Sequence, residues 1–147
     1  MRAPFQVMVL PYKRQPGGQP EYCILKRRDA GYWEFMTGGG EDRETPLEAA
    51  RREAHEEAGL SIDLGYRRLD STSTVPADAF GDFIWGREVL VIPQYCFAVD
   101  AAGRQIVISS EHTEHRWCTY DDARLFLRWD SHRNALWELD YRLSHDL

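Results

Sequence analysis

Residues 38–60 read GGGEDRETPLEAARREAHEEAGL, and this stretch decides the fold. It is a glycine-rich loop that feeds a helix. Thr45 can cap the orphan N–H groups, Pro46 suits the first helical position, and Glu48 can reach back to complete a capping box. Gly59 is the matching stop, because a glycine just past the last turn adopts the left-handed conformation at little cost. Leu47, Ala50, Ala54 and Ala58 recur at three- and four-residue steps, so one side of the helix can pack on a sheet. Glu53 and Glu57 lie one turn apart on another side, with Glu56 beside them. Like charges at this spacing destabilise an isolated helix by roughly 0.2–0.5 kcal/mol per pair. A cluster retained against that cost is either a solvated acidic face or a seat for a cation. Hard divalent ions with oxygen ligands, magnesium above all, suit such a seat and also hold phosphates.

The wider pattern favours the cation. Gly38 is followed after five residues by Glu44, then after seven more by Arg52-Glu53-Ala54, by Glu56-Glu57 and by Gly59-Leu60. This order resembles the Nudix box, with Ala54 smaller than the bulky aliphatic usual there. Seven fixed residue types at roughly 7% usage each match by chance in one window on the order of one time in 10⁸. The resemblance implies an α/β fold, an α/β/α sandwich with a mixed β-sheet. It implies that Glu53, Glu56 and Glu57 ligate Mg2+, with Mn2+ as the alternative ion, and that Gly38 lets the backbone approach the metal. It also implies that Arg52 and Glu44 pair with box carboxylates and hold the loop against the helix. Glu41 is either a further ligand or a solvated loop acid.

The chain has 147 residues with 43% hydrophobic and 29% charged, which fits one globular domain over residues 1–147. No apolar run approaches the ~20 residues of a membrane span. The N-terminus shows no basic region followed by an apolar stretch, so no secretory signal is expected. The three cysteines, Cys23, Cys96 and Cys118, have neither zinc spacing nor the even count of a disulfide framework, and a cytoplasmic location is expected. A net charge of -6 without a long basic run argues against nucleic acid as a partner.

Phe5–Leu10 reads as a first strand and Glu21–Arg27 as a second, pairing as a hairpin. Tyr32–Thr37 is a short strand delivering the glycine loop, with Trp33 in the core. Ser61–Thr74 is strand material. Val75–Gly86 is a loop or hairpin tip whose Phe80, Phe83 and Trp85 either stack on a substrate ring or form a lid. Glu88–Val99 is the most apolar strand and reads as central, with Pro93 demanding a bulge or an edge. Gln105–Ile108 reads as a further strand. Asp121–Phe126 starts a short helix capped by Thr119 or Asp121, and the last helix opens at Ser131 with Ala135, Leu136, Leu139 and Leu143 as its packing face. The spacing of His112 and His115 is compatible with zinc, but two histidines are weak evidence for it, and both read as surface residues.

Glu111 to Trp117 resembles a second Nudix feature, a Glu-His step followed by a tryptophan at the end of the last strand. It implies that Glu111 either adds a metal ligand or accepts the proton of the attacking water, a role for which Glu56 is the other candidate. Residues Arg27–Gly38 and Glu111–Ala135 look most like the bacterial branch that cleaves dihydroneopterin triphosphate and dATP. That likeness implies substrate contacts from Arg2, Arg27, Thr37 and Ser131. The expected partner is a small nucleotide or pterin polyphosphate, with a homodimer left open. The expected reaction converts a nucleoside or pterin triphosphate to monophosphate and pyrophosphate. The alternatives are asymmetric hydrolysis of a dinucleoside tetraphosphate and a non-catalytic nucleotide sensor.

Overall fold

The first strand, β1 (Arg2–Lys13), runs through the middle of the molecule and pairs with three other strands. The computed structural model describes every residue from Met1 to Leu147. After β1 come β2 (Glu21–Arg27), β3 (Trp33–Glu34), β4 (Met36–Glu41), α1 (Pro46–Ala58) and β5 (Tyr66–Pro76). A single 3-10 turn (Ala77–Phe80), β6 (Val91–Asp100), β7 (His112–Cys118), α2 (Tyr120–Phe126) and α3 (Asp130–Ser144) complete the chain. The strands form one mixed sheet in the order β3-β2-β1-β6-β5, with β4 added to β1 and β7 added to β2. No helix is long and apolar enough to cross a membrane.

The sheet is covered on both faces, as the α/β/α reading expects. Alternation along β1 divides its residues between two cores. Val7 and Val9 join Ala49, Ala50, Ala54 and Ala58 under α1. Met8 and Leu10 join Leu136, Leu139 and Leu143 under α2 and α3. After Leu47 at its start, the sheet-facing apolar positions of α1 are all alanine, which lets that helix lie close to the strands. Its start carries the expected reciprocal cap. Glu48 N–H donates to Thr45 Oγ1 at 3.2 Å and Thr45 N–H to Glu48 Oε1 at 2.9 Å. Gly59 closes it at φ 69°.

Four expectations change. β1, rather than β6, is the central strand, because it pairs in parallel with β6 and antiparallel with β4. The β1–β2 hairpin is paired only at Tyr12–Tyr22 and Lys13–Glu21, since β4 claims the rest of that edge. β6 begins at Val91, and Pro93 lies just ahead of its pairing with β1, where β5 alone flanks it; that stretch is an edge. Gln105–Ile108 forms no strand. Val107 N–H instead donates to the Ala58 carbonyl at 2.9 Å, so the segment satisfies the end of α1, and Ile106 fills the core beneath it.

Leu136 is fully buried on the inner face of α3, whereas Leu125 on α2 is 82% exposed. Leu136→Ala is expected to cost about 2–5 kcal/mol, and Leu125→Ala to stay within about 0.5 kcal/mol of the parent. Urea unfolding midpoints of the two variants measure the contrast.

Candidate functional site

Three glycines end β4, and each leaves room for a different group. A Cβ on Gly38 would lie 2.0 Å from the Glu53 carboxyl carbon. One on Gly39 would lie 2.6 Å from Arg2 Nε, and one on Gly40 2.1 Å from the Phe5 ring. Gly38 thus makes the cradle in which the Glu53 carboxylate rests against bare backbone.

Arg52 joins this strand to the acidic helix. A guanidinium has five N–H donors, and all are used. Nε and Nη2 hold the two oxygens of Glu44 at 2.7 and 3.0 Å. Nη2 also donates to the Gly39 carbonyl at 2.9 Å. Nη1 donates to Glu53 at 2.9 Å and to Glu56 at 3.3 Å. Arg52 is therefore a clamp, the role the box resemblance gives it. Hydrogen bonding to Arg52 holds the Glu44 carboxyl below the usual range, against the cost of burial. Burial dominates at Glu53 and pushes its carboxyl up to about 7 despite Arg52, with Glu56 and Glu57 adding repulsion.

A second network lies behind the first. Glu57 is 6% exposed and accepts from Ser109 Oγ at 2.7 Å. His112 is only 2% exposed, which corrects its surface assignment; it lies between two acids. Its Nε2 is 3.0 Å from Glu34, and its Nδ1 is 3.5 Å from Glu57, an ionic contact too long to satisfy the nitrogen as a hydrogen bond. Burial disfavours the imidazolium, but Glu34 and Glu57 outweigh it and lift His112 to about 9. The His112 charge in turn holds Glu57 low, against burial and with help from Ser109. Glu34 also accepts from Arg27 Nη1 at 3.3 Å, and Arg27 is held by Asp29.

The two networks border a cleft of about 800 Å³, within the usual range for small-molecule sites. Of the residues picked out in the sequence, Arg2, Arg27, Thr37, Gly38, Glu53, Glu111 and Ser131 all line it. Glu56 stands half-exposed outside it on Arg52, and Glu57 lies buried behind it. Glu111 is exposed at the rim, with its carboxyl raised by partial burial and by the charge of Glu57. The aromatic loop resolves into parts. Phe80 lines the cleft beneath the Arg2 guanidinium, 4.1 Å from its ring centre. Trp85 packs edge-on behind Phe80 and donates from Nε1 to the Arg2 carbonyl at 2.8 Å. Tyr32 and Trp129 make the opposite aromatic wall.

The residues of this region suit a hard divalent cation. The donors Glu53, Glu56, Glu57 and Glu111 are all oxygens, the Gly38 cradle opens on one of them, and burial raises the Glu53 carboxyl to about 7, so a cation beside it would favour the ionised form. No three acidic, histidine or cysteine side chains are gathered into a ready-made cage. Arg52 already holds Glu44, Glu53 and Glu56, and His112 lies against Glu34 and Glu57, so an ion would compete with those partners for the same oxygens.

Sequence reading missed Glu34, His112, Gln6, Gln94 and His132. Gln6 and Gln94 carry a legible signal, being amides inside apolar strands. Glu34 carries none and His112 only its place in the Glu-His step, because the pairing of β2 with both β3 and β7 is what brings the two together.

A family model described as NUDIX domain matches residues 5–139. A solved structure assigned to the NUDIX hydrolases, from Listeria monocytogenes strain 4b F2365, is 38% identical, with a TM-score of 0.89 over 98% of this chain and 97% of that one. The E. coli dihydroneopterin triphosphate pyrophosphohydrolase is 23% identical, with a TM-score of 0.78 over 96% and 97% of the two chains. A C. elegans Ap4A hydrolase is 18% identical, with a TM-score of 0.73 over 97% and 99%. The last two share the fold. No curated protein sequence matches.

His132 lies beneath the cleft, 3% exposed, and its Nδ1 accepts from the Phe35 backbone N–H at 3.0 Å. Burial, with Arg133 nearby, lowers it to about 3, so the folded protein keeps it neutral. As pH falls below 6.5 the unfolded chain binds a proton that the folded chain refuses, and stability is lost progressively down to about pH 3. By pH 5 the loss from this residue is about 1–2 kcal/mol. His132→Asn, which keeps an acceptor for Phe35 but cannot titrate, is expected to shrink the drop in urea midpoint between pH 7 and pH 5 by that amount.

Proposed function

We propose that this chain, which belongs to the Nudix family of hydrolases acting on phosphoanhydride bonds, is a Mg2+-dependent pyrophosphohydrolase. It cleaves a nucleoside or pterin triphosphate to monophosphate and pyrophosphate. The observation that carries this reading is the make-up of the cleft beside Gly38 and Glu53. Acids on a glycine cradle, the cations Arg2 and Arg27, and aromatic walls from Tyr32, Trp129 and Phe80 all border one space of about 800 Å³. A polyphosphate attached to a flat ring has complementary parts for each. The E. coli relative named for dihydroneopterin triphosphate has the same fold and comparable length, which is consistent with this substrate class.

Glu53, Glu56, Glu57 and Glu111 are the residues that would hold the divalent cation, which would neutralise the phosphates and acidify a bound water. The remaining work falls to the chain itself. Arg52 keeps Glu53 and Glu56 aimed from one helix face. Ser109 and His112 fix Glu57. Arg2 has no carboxylate partner and is available to a phosphate, whereas Arg27 is already tied to Asp29 and Glu34 and supplies only its remaining donors. Water attacks phosphorus, the P–O–P bond breaks, and pyrophosphate leaves with the electron pair. Glu111 is the better acceptor for the water's proton than Glu56, because Glu111 borders the cleft and Glu56 stands outside it beside Arg52.

Chromatography of the products tests the reaction. Pyrophosphate and monophosphate are expected. A nucleoside triphosphate released from a dinucleoside tetraphosphate would instead establish the asymmetric hydrolase, and binding without any release would establish a sensor. Glu57→Gln is expected to lower kcat by about two orders of magnitude or more with an unchanged circular dichroism spectrum. Activity within a few-fold of the parent would remove Glu57 from the ion site. Glu111→Gln decides whether proton transfer depends on the acid outside the box.

A further inference from the structure

Three polar side chains cross the sheet in one row on the face that carries α3. Gln6 of β1 is in register with Gln94 of β6, and Gln94 with Ser73 of β5. Gln6 Nε2 donates to Gln94 Oε1 at 2.7 Å, and Gln94 Nε2 donates to Ser73 Oγ at 3.1 Å. The next rows on the same face are Met8 with Cys96 and Leu10 with Ala98, all core residues. Gln6 and Gln94 are 9% and 3% exposed. Burying amides costs free energy that their mutual hydrogen bonds only offset, and aliphatic side chains would serve the core equally well. The row therefore calls for a reason beyond packing.

Its position supplies one. Gln6 and Gln94 both line the cleft. Gln6 Oε1 has no partner within the protein and is not sealed from solvent, so the free end of the row faces the cavity. Gln6 is also paired with Gly39, while Gly38 opens toward Glu53 on the other face. Bare glycine backbone thus separates the row from the acidic helix, with Arg2 beside Gly39. Phe80 forms a flat wall at the same cavity. His132, whose Nδ1 is occupied by Phe35, has Nε2–H left as a donor on the cleft floor. Ser73 can donate as well as accept, so the row can turn over as a unit, and Gln6 then offers an NH2 group in place of a carbonyl.

We propose that Gln6, backed by Gln94 and Ser73, reads the hydrogen-bonding edge of the substrate's nitrogen heterocycle, a ring of the purine or pterin kind. This inference rests on the reading of the cleft as a polyphosphate hydrolase site and assigns its ring specificity. Because the row is reversible, it accepts ring edges that present either a carbonyl or an amino group.

Calorimetric titration in magnesium tests this without turnover. The probes are adenosine, guanosine and cytidine 5′-monophosphates and neopterin monophosphate, with ribose 5-phosphate as the comparator that lacks a ring. The parent protein is expected to favour at least one ring monophosphate over ribose 5-phosphate by about tenfold or more. Gln6→Met should reduce that ratio about tenfold, the loss of one hydrogen bond in a desolvated site. Ser73→Ala, at the half-exposed end of the row, should reduce it about two- to fivefold, and it decides the matter if Gln6→Met does not fold. An unchanged ratio in either folded variant, or a parent that binds ribose 5-phosphate as tightly as every ring compound, overturns the proposal. Ring preference that is lost in the variants, in a protein that releases no pyrophosphate from any triphosphate, supports this inference and overturns the proposed reaction instead.

Discussion

The guanidinium of Arg52 is the constraint on which the site depends. It spends all five donors on Glu44, Glu53, Glu56 and the Gly39 carbonyl, and so ties the helix bearing the acids to the strand bearing the glycines. Without it, three acids on adjacent turns would repel one another and the loop would lose its anchor. Lysine would preserve the charge there and lose the fork that reaches four acceptors at once.

That clamp also explains why the site is built around glycine. Glu53 can rest against β4 only where no Cβ intervenes, and a methyl group on Gly38 would overlap its carboxyl carbon. The same absence of side chains at Gly39 admits Arg2, which then lies over Phe80 at the far wall. One short run of glycine thus places an anionic group on one face of the sheet and a cationic group beside it. The Glu34–His112–Glu57 network works from behind by a different means. It buries an imidazolium between two carboxylates, so the position of Glu57 is set by opposite charge at low dielectric rather than by shape.

How much of the molecule is legible in the sequence differs from residue to residue. The capping box Thr45–Glu48, the stop at Gly59 and the alanine face of α1 are readable because they depend on neighbours within one or two turns. The grouping of Glu53, Glu56 and Glu57 is readable for the same reason. His112 reads as a surface residue and is buried, because nothing adjacent in the chain announces Glu34, seventy-eight positions away. The segment Gln105–Ile108 has strand composition, yet its backbone is recruited by the end of α1. The centrality of β1 over β6 depends on which strand β4 joins, a choice that hydrophobicity alone does not encode.

Taken alone, the sequence determined the mixed α/β class, the helix with its acidic and alanine faces, and the membership that its box announces. The helix and its faces rest on short-range sterics, capping hydrogen bonds and side-chain periodicity; the class rests on the alternation of strands and helices, and the membership on the match of the box residues. The tertiary structure alone decided that Arg2, Arg27, Glu111 and Ser131 border one cavity, that His112 is buried, and that Gln6, Gln94 and Ser73 form a row. Those juxtapositions depend on the register between strands distant in sequence, and register is set by the packing of both cores together.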